Sequence, residues 1–195
     1  MTHEVTIVGA TIRTPRLLLR PWRHDDAAGA LEIYGSPEVW RWLAPAMDQV
    51  ADPEAMNAVI SNWIAMPPRS DGRPTGRWAI EETATGRLAG SGQILPLPPE
   101  GDDLELGYQL APWAWGRGFA AEAGHALAHY AFTNGEEEVF AVVRPQNDRG
   151  THAARRIGME WVGETDKYYD LRLQVFRLRK SDLDVSSLEP SPVER

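Results

Sequence analysis

Residues 103–143 set the strongest limit on what this chain can fold into. "DLELGYQL" (103–110) alternates, with Leu104, Leu106, Tyr108 and Leu110 on one face, as a strand with one buried side does. "APWAWGRG" (111–118) ends that alternation with a proline and two glycines, and the alanine-rich helical run "FAAEAGHALAHYAF" follows. "VFAVVRP" (139–145) is apolar on both faces and reads as a buried central strand. A helix crossing between two strands, after a series of antiparallel strands, implies a mixed sheet with helices on both sides.

The flanking sequence fits around that unit. "RLLLRPW" (16–22) reads as a strand closed by Pro21, and "HDDAAGALEIYGS" (24–36) as a helix that Asp25 or Asp26 can cap. "PEVWRWL" (37–43) and "DPEAMNAVISNWIAM" (52–66) are helical, the second with Asp52 before Pro53 as a start signal. After the loop "PPRSDGRPTG" (67–76), "RWAIEE" and "RLAGSGQILPL" flank "TATG" as a hairpin. "DRGTHAARRIG" (148–158) is a short helix stopped by Gly158, and "MEWVGETDKYYDLRLQVFRLRK" closes the sheet with two strands. The expected fold is therefore α/β: a mixed, mostly antiparallel sheet of about seven strands flanked by helices on both faces. One domain is expected over 1–180, with 181–195 as a frayed tail.

Composition narrows the function classes. A net charge of −8 argues against a nucleic-acid partner and leans towards a cationic small one. No apolar run is long enough to span a bilayer, so no membrane partner is expected. With no cysteine there is no disulfide, zinc–thiolate site or thiol nucleophile, which suits a cytoplasmic location. His125 and His129 share a helix face, but no glutamate follows His125 and no third ligand stands at a telling spacing, so no metal is expected. They read as surface or half-buried helix residues.

The bare backbone at the start of the central helix carries the functional signal. Gly116, Gly118, Ala120 and Ala121 leave the first helical turn almost without side chains on one flank. The first N–H groups of a helix have no internal acceptor, and the helix dipole adds partial positive charge there, so the turn suits a phosphate or pyrophosphate. Arg117 can add a full charge at the rim. The plainer account is a tight turn whose small residues let the helix pack on the sheet. "GRGFAA" also fits the dinucleotide pattern G-x-G-x-x-A, but that pattern needs an opening strand–turn–helix unit and an acid at the end of the next strand. Here Glu136, Glu137 and Glu138 precede the next strand, at its wrong end.

"LELGYQLAPWAWGRGFAAEAGHALAHYAF" followed by "VRPQNDRGTHAARRIGMEWVGE" resembles the GNAT N-acetyltransferase superfamily, and within it the branch related to RimJ and RimL, which acetylate ribosomal-protein N-termini. "TPRLLLRPW" and "QVFRLRK" also match that branch, so the likeness runs from Thr14 to Lys180. The resemblance implies an acetyl-CoA-dependent N-acetyltransferase acting on a primary amine, a protein N-terminus or a small amine. It implies that main-chain N–H groups of the signature Trp115, Gly116, Arg117, Gly118, Phe119 and Ala120, continuing to Ala121, bind the pyrophosphate. It also implies that the Leu110 and Ala111 backbone pairs with the pantetheine arm, and that Asn147 bonds near it or fixes its own loop as a cap. Trp40, Trp42 and Trp63 fall in the segment that walls the acceptor in the family, while Trp78 and Trp161 read as core. The resemblance allows a homodimer paired through exposed sheet edges.

Amine acetylation needs a proton acceptor, and Glu105 is the candidate catalytic base. It lies on the strand face opposite the leucines with Gly107 and Gln109, where several family members carry their glutamate. A glycine beside it permits close approach of a ligand. An exposed residue paired with an arginine is the plainer account of Glu105. The general acid is not legible: the family's tyrosine position is Ala154 and the branch's serine position is Gly150, with Thr151 and His152 as the neighbouring donors. That gap motivates a second reading, an acyl-CoA-binding sensor or scaffold without turnover.

Overall fold

The computed structural model describes residues 4–44, 46–98 and 101–183. The strands are β1 (Thr6–Val8), β2 (Thr11–Arg13), β3 (Leu17–Pro21), β4 (Gly76–Glu82), β5 (Leu88–Pro96), β6 (Leu104–Leu110), β7 (Glu138–Val143), β8 (Glu160–Thr165) and β9 (Leu173–Arg179). The helices are α1 (Ala27–Tyr34), α2 (Pro37–Trp40), α3 (Pro53–Ala65), α4 (Phe119–Thr133) and α5 (Asp148–Ile157). All nine strands form one sheet in the order β1-β2-β3-β4-β5-β6-β7-β9-β8. Only β6 and β7 pair in parallel, across the α4 crossover.

The mixed, mostly antiparallel sheet with helices on both faces is the expected one, with nine strands in place of about seven. The additional pair is β1 and β2, each three residues long and turning at Gly9 with φ +60. Pieces that short carry too little alternation to be read from sequence.

Strand alternation sorts side chains onto two cores. Trp78 and Ile80 of β4 pack with α4, while Ala79 between them belongs to the core shared with α1 and α3. α4 is alanine-rich because it is buried almost all round. At Gly124 an added Cβ would come 2.2 Å from the Ile157 side chain, so glycine is what lets α5 approach α4. That burial takes His125 and His129 with it: both are buried, with ring centroids 4.6 Å apart, where sequence suggested surface or half-buried positions.

Asp52 caps α3 by accepting the Ala55 N–H at 2.8 Å, and Gly158 ends α5 with φ +98. Asp26 does not cap α1; its carboxylate instead takes both Nη atoms of the buried Arg20 at 2.8 Å. Trp161 is 52% exposed on the edge strand β8, against the expectation that it is core. Of the expected tail, 184–195 lie outside the described residues. Leu183 is buried in the core beneath α4.

Candidate active site

β6 and β7 meet in register at Glu105 and Phe140 and part towards their C-terminal ends. A cavity of about 260 Å3 occupies the split, walled by Tyr108 and Leu110 on one side and Val143, Asn147 and Ala153 on the other. Val142 lines this opening, and β7 is only half-buried on its Phe140 and Val142 face, where a strand covered on both sides was expected.

Backbone alternation decides which groups face the split. Ala111 donates its N–H to the Ala89 carbonyl at 2.9 Å, so the polar groups of Ala111, Gln109 and Gly107 point towards β5. Those of Leu110, Tyr108 and Leu106 consequently point towards the opening. The Leu110 carbonyl also accepts the Trp115 indole N–H at 3.0 Å, tying the strand end to the turn beyond it.

That turn has the form its glycines imply. Gly116 and Gly118 both have left-handed backbone, φ +74 and +81, and Gly118 stands at the N-cap of α4 without a side-chain cap. No side chain therefore competes for the first N–H groups of the helix. Phe119 is buried, whereas Ala120 and Ala121 are partly accessible and Ala120 lines the cavity.

The charges around the turn are distributed differently from the sequence expectation. Arg117 pairs with Glu82 and lies over the Phe119 ring at 4.4 Å. Arg16 pairs with the buried Glu122 at 2.5 Å and donates to the Arg117 carbonyl at 2.9 Å. Glu122 also accepts the Thr14 hydroxyl at 2.6 Å and the Arg16 N–H at 3.0 Å, so the first turn of α4 is stapled to the β2–β3 corner. Arg156 approaches Gly118, and Arg149 lies 3.9 Å over the Trp115 ring; among the described residues neither takes part in an ion pair.

Glu105 sits where the strands part, 8% exposed, on the cavity wall. Burial pushes its carboxyl up to about 7, against the opposing pull of a hydrogen bond from Tyr169 and the charge of Arg77. The Tyr169 hydroxyl donates to Glu105 Oε2 at 3.0 Å. Arg77 is itself partly buried, and the lost hydration pulls its pKa down; it donates to Gln93 and lies 5.1 Å over the Trp63 ring. Gly107 makes room for Gln93, whose Nε2 would stand 2.7 Å from an added Cβ. The space beside Glu105 on that side is thus taken by a side chain of the protein.

The remaining candidates separate clearly. Asn147 caps α5, accepting the Gly150 N–H at 3.0 Å, and also lines the cavity. At Gly150 a Cβ would come 2.8 Å from Val143, so a serine has no room there. Ala154 is fully buried, Thr151 turns to Gln174 at 3.4 Å, and His152 is exposed. Trp42 lines the cavity, and Trp63 packs against Trp22 and Tyr34 at ring-centroid separations of 5.2 and 5.3 Å. Arg144, after β7, reaches across the cavity mouth to the Ala44 carbonyl.

Sequence reasoning missed Tyr169 and Arg77. The tandem "YY" at 168–169 was the only trace of the first, and Arg77 stood in a strand pattern with nothing to mark it. Among the described residues no group of three or more His, Cys, Asp or Glu is placed to hold a metal ion. No helix among them is long and apolar enough to cross a membrane.

Comparison with known proteins bears on this geometry. Residues 16–160 match the family model described as an acetyltransferase (GNAT) domain. The uncharacterized N-acetyltransferase YoaA of Bacillus subtilis (strain 168) is 26% identical over 158 residues, covering 80% of this chain and 86% of that protein. The crystal structure of an acetyltransferase from Agrobacterium tumefaciens str. C58 superposes with a TM-score of 0.67 at 29% identity, over 92% of this chain and 100% of that one. A Vibrio cholerae structure described as a ribosomal-protein-serine acetyltransferase superposes with a TM-score of 0.69 at 22% identity, over 87% of this chain and 97% of that one.

Proposed function

The chain belongs to the GNAT acetyltransferase family, whose domains use acetyl-CoA as co-substrate, and from that premise we propose that it acetylates a primary amine with Glu105 as general base. The acceptor class is a protein N-terminus, as in the branch related to RimJ and RimL, or a small amine. The observation that carries this reading is Glu105 itself. A carboxyl held near neutrality, buried at the head of an open strand pair, suits the transfer of a proton from an ammonium group.

The residues present fit the co-substrate. The uncapped N–H groups of the α4 turn, from Trp115 through Gly116, Arg117, Gly118, Phe119 and Ala120 to Ala121, would hold the pyrophosphate, with Arg149 and Arg156 alongside. The outward backbone of Leu110 would pair with the pantetheine arm, while Ala111 fixes the strand end by its bond to Ala89 and Asn147 shapes the opposite wall. Acetyl-CoA supplies the activated acetyl group. Glu105 takes the proton from the acceptor ammonium, and the burial that raises its affinity for that proton also excludes water from the carboxyl.

The test is thiol release from acetyl-CoA across a panel of peptides with free N-termini, polyamines and amine-bearing metabolites. At least one amine should release thiol in the parent protein, and Glu105→Gln should abolish that release while coenzyme affinity stays within about twofold. Coenzyme binding without thiol release by any amine would instead favour the sensor reading.

A further inference from the structure

Tyr169 and Asp170 are consecutive residues with φ 58 and 53, the only non-glycine residues with positive φ among those described. A left-handed conformation is costly for a side chain of this size, and such strain persists only where surrounding contacts enforce it. The enforcing contacts are present. Tyr168 is buried against Leu97 and Leu173, its hydroxyl donates to Asp103 at 3.3 Å, and the Leu171 N–H bonds the Tyr168 carbonyl at 3.2 Å. With its neighbour pinned against the β5–β6 connection, Tyr169 extends into the cavity and reaches Glu105.

We propose that Tyr169 is a positioning residue for Glu105: the strained turn delivers its hydroxyl to one carboxylate oxygen, holding the group ionised and leaving the other oxygen for the acceptor. This rests on the base role of Glu105 proposed above. Among the described residues the Tyr169 hydroxyl makes the one direct hydrogen bond to that carboxylate. Arg77 of β4 acts on Glu105 by charge only, since its guanidinium is engaged with Gln93 and Trp63. The other charged and titratable groups on the cavity wall are Glu38 of α2, Tyr108 of β6, Arg144 after β7 and Arg149 of α5. A donor to the charged form favours that form, so loss of the hydroxyl must strengthen proton binding by Glu105.

The test is a carbon-13 NMR titration of the glutamate side-chain carboxyls in the full chain, with the Glu105 signal assigned by its disappearance in Glu105→Gln. Tyr169→Phe keeps the ring in the turn and should raise the Glu105 midpoint by about one pH unit, a roughly tenfold gain in proton affinity. Tyr168→Phe keeps the ring that anchors the turn against Leu97 and Leu173, removes only a hydroxyl that does not touch Glu105, and should leave the midpoint in place. A midpoint that stays put or falls in Tyr169→Phe overturns the inference. In thiol-release assays the acidic limb of the pH–rate profile should move up with the midpoint, whereas a merely structural turn would lower the rate equally at every pH. The titration needs no turnover, so it stands even if the panel of amines shows the base role to be mistaken.

Discussion

The two ends of the β6–β7 split are built by different means. The α4 end consists of one continuous run, Trp115–Ala121, whose proposed recognition groups are backbone amides left open by two left-handed glycines. The Glu105 end draws on β4, β5, β6 and the β8–β9 turn, which meet only in the folded chain. Backbone recognition is local, so it leaves a spacing of small residues in the sequence. Side-chain chemistry is tertiary, and its properties come from neighbours far along the chain.

If that division holds, each end can be damaged alone. The largest effect expected is in Glu105→Gln, with turnover down by about three orders of magnitude and coenzyme affinity unchanged, as read from thiol release beside a binding titration. Equal turnover in parent and variant from pH 6 to 9 would remove Glu105 as base. Next comes Gly118→Asp, which forces a side chain into left-handed backbone and sets a carboxylate against Arg16 and Arg156. Coenzyme should bind about a hundredfold more weakly by calorimetry, while the Glu105 midpoint should not move.

A smaller effect tests the burial of Glu105 through stability. Its folded carboxyl binds a proton more tightly than an unfolded one, so its contribution is fully present below the unfolded value of about 4.5 and is lost as pH rises through about 7. Glu105→Gln should accordingly be more stable than the parent at pH 8, by on the order of 2 kcal/mol, and lose that advantage at pH 5. Denaturant midpoints at the two pH values check this. The smallest effect is expected for Gly150→Ser, which restores the branch's hydroxyl but crowds Val143. It should cost about 1 kcal/mol of stability and give no gain in turnover.

Legibility in the sequence followed the same division. The order of elements from β3 to β9, the Asp52 and Gly158 helix signals and the glycine turn could all be read, because each depends on residues a few places apart. The β1–β2 hairpin was too short to show. Trp161 misled because an aromatic on a strand suggests burial, yet β8 is an edge strand. His125 and His129 misled because a helix covered by both the sheet and α5 buries polar residues that a surface helix would expose. At the candidate site, alternation, the neighbouring Gly107 and the family resemblance together pointed to Glu105; its environment was invisible, since nothing in "RWAIEE" or "DKYYD" marks Arg77 or Tyr169 as its neighbours.

Glu122 gives the α4 turn a dependence that its distance from β1 and β2 would not suggest. Thr14 and Arg16, at the corner where that hairpin feeds β3, grip Glu122 and the Arg117 carbonyl, so the amides stand ordered before any ligand arrives. A ligand meeting a loop already frozen in place loses little entropy on its behalf. If the α4 turn holds a pyrophosphate as proposed, its affinity for that group depends partly on the N-terminal corner, and trimming that corner would weaken binding without removing a single contacting atom.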